Sequence, residues 1–300
     1  MRKHDREVLR RFFAALALLV AIIVVAVACS SSSGQKTLYI GGIPDQDIST
    51  LEVRFDKLAE YLSEETGVPV KYLPSVDYSA VVTGFRNNDV QLAWYGGLTG
   101  VQARLAVPGA KALAQRAIDQ RFTSVFIAHV GSGITSLADL EGRSFTFGSE
   151  SSTSGHLMPR FFMTEAGLDP EADFSQLSYS GSHDRAWKLV EAGSFDAGAL
   201  NANVWAARVL EGKVDLSKVD AFFTTPSYFD YHWVARPDLD DVYGKGFTQR
   251  LTNALLALDA SNGGADQEIM DAFQASIFVP TTNEKYQAIE SVARSLGIIE

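Results

Sequence analysis

Thr37-Leu38-Tyr39-Ile40-Gly41-Gly42-Ile43 is a run of apolar, β-branched and aromatic residues, and behind it Leu51, Phe55, Leu58 and Leu62 recur at helical spacing until Gly67. A strand-length run followed by a 3.6-residue period and a glycine stop is one β-α unit. The theme repeats. Residues 68–72 predict a strand, 78–87 a helix, 91–94 a strand and 98–106 a helix. A second series follows: strands at 143–147, 177–180 and 197–200 precede helices at 155–166, 184–192 and 203–211. Parallel strands need crossover connections, so this order predicts an α/β fold with a mostly parallel sheet covered on both faces.

Two further strand-like runs, residues 122–129 and 231–235, flank the second series and read as crossings between two lobes. Lobe I is then residues 36–127 with 232–300, and lobe II is 128–231; helices at 247–258 and 284–296 return to lobe I. One large doubly wound domain is the alternative reading. The chain has 300 residues, 46% of them hydrophobic and 21% charged, which is enough for about two ordinary domains. A single cysteine, Cys29, excludes an internal disulfide and a thiolate zinc cage. The net charge of −10 and the lack of a basic, aromatic-interleaved stripe argue against nucleic acid as a partner.

Arg2, Lys3, Arg6, Arg10 and Arg11 crowd the start, and the 17 residues from Phe12 to Ala28 carry no charge. That is the form of an export signal. It closes as Val25-Ala26-Val27-Ala28-Cys29, which resembles a bacterial lipobox. Cleavage before Cys29 would leave a thiol for a diacylglycerol, and at about 0.8 kcal/mol per buried CH₂ two or three acyl chains anchor a protein firmly. An uncleaved signal anchor is the alternative. Residues 1–28 are thus expected to be a signal peptide and 29–35 a lipid-anchored tether, with the domain held outside the cytoplasmic membrane. Residues 1–28 carry five basic and two acidic side chains, so their removal moves the charge by three, from −10 to −13.

In open α/β sheets, ligands bind beyond the carboxyl ends of strands, where the first N–H groups of helices lack partners. The segment Phe147-Gly148-Ser149-Glu150-Ser151-Ser152-Thr153-Ser154-Gly155-His156 stands at such a place. Pro159 fits only near a helix start, which predicts a first turn at residues 155–158 with free donors at Thr153 to His156. Hydroxyls of Ser152, Thr153 and Ser154, with close backbone approach at Gly155, make a cup of neutral donors for a tetrahedral oxyanion. Such a cluster also serves as an ordinary N-cap. Three further groups stand at strand or helix ends: Tyr95, His183 and Asp230, the last able to accept a proton from a ligand.

Gly42-Ile43-Pro44-Asp45, residues 89–96 (Asp-Val-Gln-Leu-Ala-Trp-Tyr-Gly), Ser151 to Gly155, Ser180-Gly181-Ser182-His183 and Gly198-Ala199-Leu200-Asn201 occur together in this order. From Thr37 to about Ile298 the chain thereby resembles the phosphate/phosphite/phosphonate-binding family of ABC-transporter substrate-binding proteins, most closely members assigned to selenate transport. The resemblance implies a type II periplasmic-binding fold, two lobes joined by a two-strand hinge that close on the ligand. It implies that the Tyr95 hydroxyl and the Ser152-Thr153-Ser154 cup hold the oxyanion, that His183 contacts it, and that an acidic residue near Asp230 reads the remaining group. An ABC permease with its ATPase would be the partner of a monomeric receptor.

Selenate and sulfate offer only acceptors at neutral pH, whereas phosphate, phosphite and phosphonates can donate a proton. An Asp230 facing the ligand favours the second group; an Asp230 pointing away leaves selenate open. Two rivals remain. An organic sulfonate or pyrimidine-precursor binder would use Trp94, Tyr228, Phe229 and Trp233 as an aromatic wall. An enzyme is disfavoured, because hydrolase-elbow, zincin and Walker signatures are missing, and no catalytic residue, metal or cofactor is expected.

Overall fold

The structure, a computed structural model, describes residues 36–300, which form one compact unit. The expected signal peptide, Cys29 and the expected tether lie outside the described residues. Among the described residues no helix is long and apolar enough to cross a membrane.

The opening stretch folds as its pattern dictates. Strand β1 (Leu38–Gly42) leads to helix α1 (Ile48–Thr66), whose Leu51, Phe55, Leu58 and Leu62 are buried. Gly67 ends it at φ 68°, donating to Ser63 O, a left-handed turn that suits glycine. The chain continues through β2 (Val70–Tyr72), α2 (Tyr78–Arg86), β3 (Leu92–Tyr95), α3 (Gly97–Ala106) and β4 (Lys111–Arg116). It then crosses to β5 (Ser124–His129), β6 (Ser144–Phe147), α4 (Met158–Glu165), β7 (Gln176–Tyr179), α5 (His183–Glu191), β8 (Ala197–Asn201), α6 (Ala202–Leu210) and β9 (Val219–Thr224). It returns through β10 (His232–Ala235), α7 (Phe247–Ala257), α8 (Gly264–Ala272), β11 (Phe278–Pro280) and α9 (Gln287–Ser295).

Two sheets result, in the orders β11-β4-β10-β3-β1-β2 and β7-β6-β8-β5-β9. Their β2-β1-β3 and β7-β6-β8 portions are parallel, as expected. The expectation of a mostly parallel sheet fails beyond them. Strand β10 is antiparallel to β3 and β4, β11 to β4, and β5 to β8 and β9. Strands β5 and β10 enter their sheets directly from the other lobe, so they need no helical crossover and can run antiparallel to their neighbours.

The lobe boundary also falls earlier than read from sequence. All of β5 lies in the second sheet, and residues 228–231 lie against the first lobe. Phe122 and Tyr228 exchange backbone hydrogen bonds of 2.8 and 2.9 Å, and the Asp230 amide donates to Asp119 O at 3.1 Å. The two connecting segments therefore meet as a short antiparallel pair. Beside them Arg116 forks onto Asp119, Nε to Oδ2 at 2.7 Å and Nη2 to Oδ1 at 2.6 Å, and its guanidinium lies over the Trp94, Phe122 and Tyr231 rings. Removing one partner of a buried pair like this costs about 3–5 kcal/mol.

The larger core, in lobe I, clusters Phe55, Trp94, Trp233, Phe273 and Phe278 in edge-on and tilted contacts. Lobe II has two smaller cores on opposite faces of its sheet, one around Trp187 and Trp205 and one around Phe126, Phe145 and Phe147. Trp94 and Trp233 are thus core residues, and Phe229 packs edge-on to Tyr286. The aromatic wall expected of an organic-ligand site does not assemble.

Candidate functional site

The loop after β6 enters a wide turn, not the regular first turn expected at residues 155–158. Leu157 donates to Ser152 O at 2.9 Å, five residues back, so Thr153–Leu157 form one π turn ahead of α4. Ser152 caps it, its Oγ accepting the Gly155 amide at 2.9 Å. Gly155 N–H is therefore taken. The leading amides of the turn, at Thr153 and Ser154, are those that a helix start leaves without intrahelical acceptors. Gly155 is required by crowding: a Cβ there would stand 3.2 Å from Gly148 Cα and 3.2 Å from His183 Cε1.

His156 braces the turn from behind. Its Nδ1 donates to Glu150 O at 2.6 Å and its Nε2 accepts from Arg160 Nε at 2.8 Å. Burial, with Arg160 beside it, brings its pKa down to about 4, so it stays neutral.

Opposite the cup stands the start of α3. The Leu98 amide donates to Thr153 Oγ1 at 2.9 Å, and the Gly97 amide donates to Asp230 Oδ1 at 2.8 Å. Two helix N-termini, one from each lobe, thus face one another across Thr153 and Asp230. A Cβ at Gly96 would approach Thr153 Oγ1 to 3.0 Å and Asp230 Oδ1 to 3.1 Å, so the backbone there comes close because the residue is glycine. Asp230 is buried at this junction. Burial above all, then the charge of Asp119, pushes its carboxyl up to about 7 against the opposing pull of the Gly97 amide.

Tyr95 is the correction among the expected site residues. Its hydroxyl donates to Val81 O at 3.1 Å and its ring stands edge-on to Phe85, within lobe I. Successive strand side chains point to opposite faces, and Tyr95 takes the one packed on α2. Tyr78, missed in the sequence, offers its hydroxyl instead. It begins α2 after the Asp77 cap, 2% exposed, and lies beside Ser152 without meeting hydrogen-bond geometry. Burial, then the neighbouring Asp45 carboxylate, raises its pKa well above the usual range and keeps the proton for donation. A tyrosine directly after a helix cap was the available signal.

His183 joins the cup from the start of α5, fully buried. Its Nδ1 accepts from the Asn201 amide at 3.4 Å, and its Nε2 lies 3.3 Å from Tyr231 Oη. Burial lowers its pKa, and the bonds assign the proton to Nε2. The ring edge borders Gly155, while both nitrogens have protein partners. Tyr231 in turn donates to Asp45 Oδ2 at 2.7 Å. Asp45 and Tyr231 are further residues that the sequence reading did not assign to the site.

Three buried polar atoms have no partner among the described residues at this junction: Asp45 Oδ1, Tyr78 Oη and Asp230 Oδ2. Each unpaired buried group costs about 1–3 kcal/mol. A ligand with hydrogen-bond donors and acceptors would satisfy them. Among the described residues no group of three or more His, Cys, Asp or Glu side chains is placed to hold a metal ion.

The chain is similar over most of its length to known proteins. Residues 40–286 match the family of ABC transporter, phosphonate, periplasmic substrate-binding proteins. A probable ABC transporter phosphite binding protein, PhnD1 of Prochlorococcus marinus, is 42% identical, over 89% of this chain and 92% of that one. The crystal structure of PhnD1 in complex with methylphosphonate superposes with a TM-score of 0.86, covering 89% of this chain and 100% of that one. The phosphate-import protein PhnD of Mycolicibacterium smegmatis is 30% identical over 62% of each chain.

Proposed function

Because the chain belongs to the phosphonate-binding family of periplasmic substrate-binding proteins of ABC transporters, we propose that its own ligand is a small, proton-bearing tetrahedral oxyanion: a phosphonate, phosphite or phosphate. The relatives are binding proteins and not enzymes, and they work outside the cytoplasm. Ser152, Thr153 and Ser154 supply hydroxyls to the oxyanion, Thr153 and Ser154 add their amides, Tyr78 adds a hydroxyl, and His183 closes the back of the cup.

The observation that carries this reading is the buried Asp230 Oδ2, which has no partner among the described residues and lies at the junction with Thr153. One proton shared between this oxygen and the ligand turns repulsion into a charge-assisted hydrogen bond. Selenate and sulfate bring no proton of their own, so they can use only the protonated form of this carboxyl, whose pKa is about 7, and are disfavoured as pH rises above it. Uptake then proceeds by closure of the lobes about the Phe122–Tyr228 pair, followed by delivery to a permease. The lipobox-like ending at Cys29 supports tethering of the receptor to the membrane by a lipid anchor.

A thermal-shift panel of phosphite, methylphosphonate, phosphate, sulfate and selenate tests the reading. Ligand at 100 times Kd stabilises by about 2.7 kcal/mol. The first three should raise Tm by several degrees and the last two should not; a larger shift with selenate would reject the assignment.

A further inference from the structure

The edge of lobe I that follows β1 also grips lobe II away from the cup. Arg208 of α6 forks onto Asp184 of α5, Nε to Oδ1 at 2.7 Å and Nη2 to Oδ2 at 2.9 Å. The same Nη2 donates to Gln46 Oε1 at 3.2 Å, and the Asp47 amide donates to Asp184 Oδ2 at 3.2 Å. These last two bonds join the lobes. Trp187 Nε1 also donates to Asp184 Oδ1, at 3.1 Å, so the carboxylate is held by several donors. Gln46, Asp184 and Arg208 are 7%, 1% and 5% exposed.

We propose that the Asp184–Arg208 pair is an interlobe clamp, a set of positioning residues that grips Gln46 and Asp47 and fixes ligand affinity through the lifetime of the closed state. The inference rests on the reading of the protein as a receptor that closes on an oxyanion. Both charged partners belong to lobe II, so they are already paired when the lobes part. Closure then adds two charge-assisted bonds to a donor and an acceptor whose geometry is set in advance. The exposed Lys188–Asp47 contact, at 3.6 Å, adds little beside them. Hydrogen bonds to charged groups of this kind correspond to about tenfold or more in an equilibrium constant.

The test uses the full chain with Gln46→Ala and Arg208→Lys, the latter keeping the charge and losing the fork. Stopped-flow binding of methylphosphonate should show dissociation faster by about tenfold in each variant, with association nearly unchanged. Gln46→Ala should add nothing in the Arg208→Lys background. Without ligand, hydrogen exchange at the Asp47 and His183 amides should quicken in both variants, while amides of β1 and β6 keep their protection. Gln46→Ala lies outside the buried ion pair and reports even where Arg208→Lys unfolds. Unchanged dissociation and unchanged Asp47 exchange in Gln46→Ala would overturn the clamp. Wild-type protein that binds none of phosphite, methylphosphonate and phosphate would defeat the receptor reading, and the exchange comparison would still decide the clamp.

Discussion

Asp230 and Gly97 are joined by a 2.8 Å bond from the Gly97 amide to Oδ1, which orients the carboxylate so that Oδ2 is buried and unpartnered among the described residues. The bond ties the selector residue to the N-terminus of α3, on the face opposite the cup. Asp230→Asn preserves an acceptor for Gly97 and removes the site that shares a ligand proton. Methylphosphonate binding, measured by calorimetry, should weaken by about tenfold or more. Selenate binding should hold or improve, and equal losses for both would remove Asp230 from the selector role.

The raised pKa of Asp230 gives a pH signature in the ligand-free protein. Its carboxyl titrates near 7 when folded, above the roughly 3.9 of an unfolded aspartate. The folded state therefore binds the proton more tightly. This favourable contribution is complete below about pH 4 and is lost as pH rises to about 7. Wild-type Tm should fall relative to that of Asp230→Asn between pH 4.5 and 7.5. Parallel profiles for the two proteins would contradict the assignment.

The two tyrosines at the cleft should separate cleanly. Tyr95→Phe loses a bond to Val81 O and should cost about 1 kcal/mol of stability with unchanged ligand affinity. Tyr78→Phe removes an unpartnered hydroxyl, so stability should hold while affinity falls. Denaturant titration combined with ligand titration distinguishes the outcomes; an affinity loss confined to Tyr95→Phe would reverse the roles.

Gly96→Ala tests the closeness of the two lobes. Its φ of −72° suits any residue, so the effect is steric. The added methyl meets Thr153 Oγ1 and Asp230 Oδ1, and overpacking of this kind costs about 1–3 kcal/mol. The cost should appear mainly as weaker ligand binding, because Thr153 can retreat with lobe II. Wild-type affinity in this variant would show that the lobes need not approach so closely.

Much of this arrangement was legible before any coordinates. The Leu51, Phe55, Leu58, Leu62 period and the Gly67 stop gave α1, and Pro159 located the helix start that carries the cup. Asp230 was recognisable as a carboxylate near a lobe crossing. Tyr95 is misplaced in the sequence reading because strand parity does not say which face of β3 packs on α2, and that is a tertiary fact. The π turn was invisible because it follows from Gly148 packing on Gly155. Asp45 and Tyr231 are 186 residues apart in sequence and meet only when the returning chain packs on the first sheet. Strand β4, Lys-Ala-Leu-Ala-Gln-Arg, went unread for lack of alternation; its buried Arg116 is admitted by the pairing with Asp119.

Isothermal titration calorimetry of the full chain at neutral pH, with methylphosphonate and then selenate, bears most directly on the proton-sharing cup. One saturable methylphosphonate site with micromolar or tighter Kd, and weaker binding of selenate, is the expected result. Equal affinity for the two anions, or no heat with methylphosphonate, would contradict it.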